Sequence, residues 1–132
     1  MKIYTNYPFN FLTQTTQIIA DLAKVPVEVV VVSKEEQEAK EFKDKKLIQF
    51  PFLETDEGDL IFECAAIATY IARCAPGSGL YGQSAFQQAK VDEWIAWNQA
   101  TFTANALCLY GVLGHKEITA DQFNETVKSL KQ

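Results

Sequence analysis

The sequence has few of the residues from which metal sites and disulfide frameworks are built. It contains three cysteines and one histidine among 132 residues, and the cysteines form no Cys-x-x-Cys pair. Because metal centres and disulfide frameworks use closely spaced ligands or paired cysteines, neither is expected, and we predict no bound metal. An odd number of cysteines also fits a reducing compartment, which favours a cytoplasmic location.

Clustered positive charge and long apolar runs are missing as well. The formal net charge is −5, and the basic residues are interleaved with acidic ones. A nucleic-acid surface is therefore not expected, because phosphate contacts require grouped Lys and Arg. Since no segment resembles a signal peptide or a membrane span, the chain is also not expected to contact a membrane.

The first part of the chain alternates strand and helix patterns. Lys2–Asn6 predicts a strand, and an apolar stripe at helical spacing predicts a helix over Thr13–Lys24 that Pro26 ends. Val27–Val32 is almost continuously β-branched, which is typical of a strand buried on both faces in a parallel βαβ unit. The charged segment Lys34–Lys46 predicts a solvated helix or an irregular helical loop without a function of its own.

The stretch Gln49–Cys74 has the pattern of a hairpin followed by a helix. Two short apolar runs, Phe50–Leu53 and Leu60–Phe62, flank a polar turn that contains Gly58, which indicates antiparallel pairing. Apolar residues then recur at helical spacing up to Cys74. Pro51 opens the first of these strands, where a cis peptide bond would be a built feature.

The second part of the chain predicts helices. Residues 75–79 have linker composition, so we place a domain boundary between residues 76 and 77. Ser84 is a suitable N-cap for a long helix towards Leu113 that is apolar, and so buried, on two sides. Thr119 with Gln122 forms a capping box for a last helix. That helix presents three apolar residues, namely Phe123, Val127 and Leu130. Two helices cannot enclose this much apolar surface, so either further helices or a partner should cover it.

The hairpin and helix carry a family resemblance. They match the glutathione transferase pattern of a Gln or Lys, an apolar residue, a cis-proline, an acidic-Gly turn, and Glu-Ser-x-Ala-Ile-x-x-Tyr. In this chain the pattern is Gln49-Phe50-Pro51, Asp56-Glu57-Gly58 and Glu63-Cys64-Ala65-Ala66-Ile67-Ala68-Thr69-Tyr70. The chain therefore resembles the N-terminal domain of glutathione transferases, with Cys64 in place of the usual Ser.

The resemblance implies an architecture. Residues 1–76 would form an α/β thioredoxin-like domain of order β-α-β-α-β-β-α. Residues 77–132 would supply the first helices of an all-α glutathione transferase C-terminal domain, and the chain would then be a truncated form of a longer one. The order of strand and helix patterns is consistent with this arrangement.

The resemblance also implies a glutathione site. The backbone of Phe50 before Pro51 would pair with the cysteinyl part of glutathione, with Gln49 beside it. Glu63 would meet the ligand's ammonium group, and the backbone N–H of Cys64 would meet its carboxylate. Because a thiol is a weak donor, Cys64 should lower the affinity.

Each of these residues has an alternative interpretation without a ligand. Pro51 could only open a strand, Glu63 could only be an acid at a helix start, and Cys64 could be a packed thiol or, at a helix N-terminus, a reactive one.

The catalytic group would be a hydroxyl near the end of the first strand. Tyr7 lies where the family places the residue that stabilises the glutathione thiolate, with Asn10 and Thr13 as lesser candidates. Tyr7 could equally be an aromatic residue of the turn. Trp94 and Trp97 could line an apolar pocket for a second substrate, although tryptophans at helical spacing are more often core residues.

Within the superfamily, the chain is most similar to the transferase-like domain of the elongation factor 1-gamma family. The segments that carry this similarity are Ile3–Pro8 with Asn10–Phe11, Phe62–Ile71, Gln88–Trp94 and the turn Gly111–His115. This resemblance implies a cytoplasmic scaffold that holds the nucleotide-exchange subunit of the elongation complex. Alternatives are an active glutathione transferase, a homodimer or a pair with another transferase-like protein, and a module of an aminoacyl-tRNA synthetase complex.

Overall fold

The chain divides into two units, Met1–Gln83 and Ser84–Gln132. The computed structural model describes residues 1–38, 49–103 and 119–130, without the side chain of residue 130. The division lies somewhat later in the chain than the boundary expected between residues 76 and 77. Most of the charged segment 34–46, the predicted Leu113 end of the long helix, and His115 fall outside the described residues.

The first unit contains a four-stranded mixed sheet. Its strands are β1 (Lys2–Thr5), β2 (Glu28–Val31), β3 (Phe52–Glu54) and β4 (Leu60–Phe62), in the order β2-β1-β3-β4. β1 is parallel to β2 and antiparallel to β3, and β4 is antiparallel to β3. The predicted hairpin is confirmed, and so is the thioredoxin-like order of strands and helices.

The prediction that Val27–Val32 forms a strand buried on both faces is wrong. β2 lies at an edge of the sheet, and Val31 is 47% exposed. An edge strand is paired on one side only, so a β-branched run there does not imply burial. The apolar run identified a strand correctly but not its place in the sheet.

Three α-helices in the described part of the first unit each follow a strand. Helix α1 (Phe11–Ala23) is capped by Asn10, whose side-chain oxygen accepts a hydrogen bond from the Leu12 N–H at 2.9 Å. This cap starts the helix earlier than the predicted Thr13. Helix α2 (Lys34–Gln37) is a single turn with a capping box, and α3 (Cys64–Cys74) follows β4 directly.

The core of the first unit lies between the sheet and helices α1 and α3. Ile3 and Leu53 are paired across β1 and β3, and both are fully buried together with Ile67 and Ile71 of α3. Burying each such side chain contributes about 1.5–3 kcal/mol. Because α1 and α3 also pack on each other, the two helices hold a fixed relation to the sheet.

The second unit contains helix α4 (Ala85–Trp97), a π-helical segment (Asn98–Thr103) and helix α5 (Ala120–Leu130). Capping boxes start both helices as predicted, Ser84 with Gln87 and Thr119 with Gln122. The expected continuous helix from Ser84 ends at Trp97, where the backbone becomes π-helical.

The prediction that the helix after Ser84 is buried on two sides does not hold for the described residues. None of the 13 residues of α4 is buried, and Phe86 and Trp94 are 75% and 62% exposed. No helix in the described ranges 1–38, 49–103 and 119–130 is long and apolar enough to cross a membrane.

Candidate functional site

The strand register brings distant parts of the first unit to one edge of the sheet. Tyr4, near the end of β1, is opposite Phe52, the first residue of β3. Phe52 is in turn opposite Phe62, the last residue of β4. The segments that follow β1, precede β3 and follow β4 therefore all emerge at the same end of the sheet. This end, where β1 and β4 finish and β3 begins, is called the open edge below. These segments carry every predicted site residue: Tyr7, Gln49, Phe50, Pro51, Glu63 and Cys64.

The segment before β3 contains a cis proline. The peptide bond between Phe50 and Pro51 is cis, as expected from the sequence. The β1–β3 ladder pairs residues from Phe52 onwards, so Phe50 lies just beyond it at the open edge. Pro51 is buried, whereas Gln49 is exposed. The backbone of Phe50 is thus placed where an extended ligand could pair with it.

Glu63 occupies the N-cap position of α3 in an unusual backbone conformation. Its φ and ψ are 69° and 121°, and its side chain makes no capping hydrogen bond. A non-glycine residue in such a region costs about 1–3 kcal/mol and is often found at ligand sites. The side chain is exposed, so the carboxylate is available beside the first N–H groups of α3, which attract anions.

The thiol of Cys64, the first residue of α3, is bonded to α1. The half-buried thiol donates a hydrogen bond to the carbonyl oxygen of Leu12 in α1, with Sγ 3.4 Å from that oxygen. Burial, and secondarily the negative charge of Glu63, raises the pKa of the Cys64 thiol. A raised pKa keeps the thiol protonated at neutral pH, which favours the packed thiol over the reactive one.

The turn after β1 presents Tyr7 to solvent. The Tyr7 side chain is 58% exposed, and its ring contacts that of Phe9 edge-on, with centroids 6.0 Å apart. The Tyr7 carbonyl accepts a hydrogen bond from the Asn10 N–H at 3.2 Å. Tyr7 therefore lies at the predicted edge, on a turn whose backbone is held in place.

The two lesser catalytic candidates have structural partners. Asn10 uses its side-chain oxygen to cap α1. Thr13 is buried, and its hydroxyl donates to the hydroxyl of Thr5 at 3.0 Å. The Asn10 side chain is thus engaged in starting α1, and the Thr13 side chain in holding α1 to β1.

Thr5 is the one residue near the site that the sequence analysis did not identify. It is fully buried and hydrogen-bonds to both the N–H and the carbonyl of Tyr7. A threonine at the end of a predicted strand, two residues before a candidate catalytic residue, is the signal that could have identified it.

The aromatic residues of the second unit form a cluster of their own. The Trp94 and Trp97 rings meet edge-on at 5.6 Å, and Trp97 stacks on Phe102 at 5.8 Å. The Trp94 and Phe102 side chains are exposed, so neither packs as a core residue. The cluster offers a large aromatic surface.

A cavity of about 410 Å³ lies at the opposite end of the sheet, lined by Met1, Lys2, Glu28, Glu54, Thr55 and Asp56. The Met1 ammonium contacts the Asp56 carboxylate there at 2.6 Å. Within the described part of the chain, His, Cys, Asp and Glu side chains form no group of three or more that could hold a metal.

Comparisons with known proteins identify the family to which the first unit is similar. The family model described as "Glutathione S-transferase, N-terminal domain" matches residues 1–73. The chain is 32% identical over 83 residues to "Probable elongation factor 1-gamma 2" of Arabidopsis thaliana and to "Elongation factor 1-gamma 1" of Oryza sativa subsp. japonica. Each alignment covers 62% of this chain and 20% of the relative, so the chain spans about one fifth of these curated relatives.

The comparison with solved structures also finds a glutathione transferase of similar fold. The structure of glutathione transferase F2 from Populus trichocarpa is similar with a TM-score of 0.78 at 19% identity, covering 98% of this chain and 64% of that one. At this identity the likeness concerns the fold alone, and it extends over both units of the chain.

Proposed function

Because the chain belongs to the glutathione S-transferase N-terminal domain family, we propose that it is a transferase-like interaction module of the gamma-subunit type. In this role it works in the cytoplasm within the translation elongation factor 1 complex and scaffolds the nucleotide-exchange subunit. Similarity to two elongation factor 1-gamma proteins supports the choice of complex. We also propose that the first unit is a thioredoxin-like transferase domain and that the second is part of the all-α domain.

The observation that carries this proposal is the position of the Cys64 thiol. In the resembling transferases a serine hydroxyl occupies this position, and a hydroxyl is a stronger donor than a thiol. Here burial raises the pKa of the Cys64 thiol, and the thiol is bonded to the Leu12 carbonyl. A glutathione site with a weaker hydrogen-bond donor at this position is better suited to a protein that serves as a scaffold than to an enzyme with efficient turnover.

The partner experiment uses the full 132-residue chain and a purified nucleotide-exchange subunit of elongation factor 1. Isothermal titration should give a dissociation constant of about 1 μM or tighter, corresponding to roughly −8 kcal/mol. Glu63→Ala is the matched control, because it alters the ligand edge and should leave a scaffold interaction unchanged. Absence of association at tens of micromolar, on the order of 10 Kd for such a complex, contradicts the scaffold role.

A second function, glutathione transfer, is favoured by one specific arrangement. The cis peptide bond before Pro51, the exposed Glu63 and the start of α3 all lie at one sheet edge. The Phe50 backbone would hold the cysteinyl part of glutathione, and Glu63 its ammonium group. The N-terminus of α3 would bind the carboxylate, and the Tyr7 hydroxyl would stabilise the thiolate for attack on an electrophile.

The transferase candidate is tested on the same sample. The chain is titrated with reduced glutathione and then assayed for conjugation with a generic electrophile. Binding and turnover that are both lost in Glu63→Ala would establish the enzyme. Binding without turnover would leave glutathione as a ligand of the scaffold. If millimolar glutathione does not bind, the remaining partners to test are a second copy, another transferase-like protein, and an aminoacyl-tRNA synthetase complex.

A further inference from the structure

We propose that Thr5 is a positioning residue of the candidate site, which sets the backbone of the Tyr7 turn from inside the core. The inference deepens the proposed glutathione site, and its ligand-binding part rests on that function. Thr5 itself does not reach the open edge, because it is fully buried. It acts through Tyr7.

The hydroxyl of Thr5 makes a complete set of hydrogen bonds. It donates to the Tyr7 carbonyl at 3.1 Å, and accepts from the Tyr7 N–H at 3.4 Å and from the Thr13 hydroxyl at 3.0 Å. A hydroxyl has one donor and two acceptor positions, so all three are used. Both backbone polar groups of Tyr7 are therefore bonded to one buried side chain.

This network ties the turn to two rigid elements. Thr5 ends β1, an interior strand of the sheet, and Thr13 lies in the first turns of α1. The hydroxyl of Thr16 donates to the Thr13 carbonyl at 2.7 Å, also inside the core. The position of the Tyr7 side chain at the open edge thus depends on a group that is inaccessible to any ligand.

Three substitutions separate this role from general stability. Thr5→Val keeps the shape of the side chain and removes all three hydrogen bonds. Thr5→Ser keeps the hydroxyl. Thr16→Val also removes a buried hydroxyl, whose hydrogen bond is to the backbone of α1, and it leaves all three bonds of Thr5 in place, so it is the matched control for loss of stability.

The first readout is amide hydrogen exchange measured by NMR. We expect the Tyr7 amide to exchange about tenfold faster in Thr5→Val, because this change in rate corresponds to the loss of one net hydrogen bond. Thr5→Ser should return the exchange rate to within about threefold of the original. The free energy that corresponds to this remaining difference is well below that of one net hydrogen bond. Thr16→Val should leave the Tyr7 amide as protected as in the original chain. An unchanged rate in Thr5→Val, or equal acceleration in Thr16→Val, overturns the proposal.

The second readout is titration with reduced glutathione. Thr5→Val should weaken binding by about tenfold, with recovery in Thr5→Ser and little change in Thr16→Val. If the original chain binds no glutathione, the ligand-binding part of the proposal is overturned together with the glutathione site. The exchange data then still decide whether Thr5 holds the turn, so the two failures are distinguishable.

Discussion

The thiol of Cys64 is hydrogen-bonded to the carbonyl oxygen of Leu12, a residue 52 positions earlier in the chain. This contact joins the starts of α3 and α1 at the edge where the predicted ligand would bind. It also removes the only side-chain donor that Cys64 could offer to that ligand. The Cys64 side chain is therefore engaged within the protein, which leaves its backbone N–H as the group that would meet the ligand.

The Cys64 thiol should react slowly with alkylating reagents. Burial raises its pKa, so less thiolate is present at a given pH than on an ordinary cysteine. Cys74 is exposed and serves as the internal control. Labelling with iodoacetamide at pH 7.5, followed by peptide mass spectrometry, should modify Cys74 at least about tenfold faster than Cys64. Equal rates would contradict the packed-thiol interpretation.

The same raised pKa predicts a pH dependence of stability. A group that titrates at a higher pH in the folded state stabilises the fold below its unfolded pKa, which for cysteine is about 8.5. That contribution is lost as the pH rises through the folded value. Urea unfolding should therefore show the chain losing stability between pH 8 and pH 10 relative to Cys64→Ser, which has no such titration. Parallel profiles of the two proteins would contradict the prediction.

Replacing Glu63 by glycine should stabilise the fold while removing a ligand contact. Glycine adopts positive φ readily, so Glu63→Gly should relieve the backbone cost and raise the free energy of unfolding by about 1 kcal/mol after its own entropic penalty. Glu63→Ala removes the same carboxylate without relieving the backbone. Urea denaturation of both variants separates the two effects, and equal stabilities would show that the conformation at residue 63 is not strained.

The start of α1 depends on Asn10. Its side chain caps the helix through the Leu12 N–H, and replacing such a cap by alanine costs about 1 kcal/mol. Asn10→Ala should lower the free energy of unfolding by that amount in urea denaturation. Gln14→Ala is the control, because Gln14 is an exposed residue of the same helix and should change stability by less than about 0.5 kcal/mol.

Tyr81 should behave as a core residue of the first unit. The Arg73 guanidinium carbon lies 4.2 Å from the centre of its buried ring. Removing a buried aromatic side chain costs about 3 kcal/mol or more, so Tyr81→Ala should strongly lower stability in urea. Phe86→Ala, at an exposed position, should have little effect. If Tyr81→Ala leaves the stability unchanged, the result would favour the domain boundary predicted between residues 76 and 77.

Local patterns account for the elements that the sequence analysis identified correctly. The polar turn between two apolar runs specifies the hairpin, and Ser84 and Thr119 satisfy N–H groups only a few residues away. The position of Pro51 at a strand start likewise depends on its neighbours alone. Such features involve residues close in sequence, so they could be predicted from a single chain.

The order of strands and helices, the family pattern, and so the residues to inspect were determined by the sequence itself. Only the tertiary structure decided that β2 is an exposed edge, that the Cys64 thiol is bonded to Leu12, and that Thr5 holds the Tyr7 turn. The reason is physical. Burial, hydrogen-bond partners and the pKa shifts they cause depend on which distant residues meet in space, and a one-dimensional pattern does not contain those contacts.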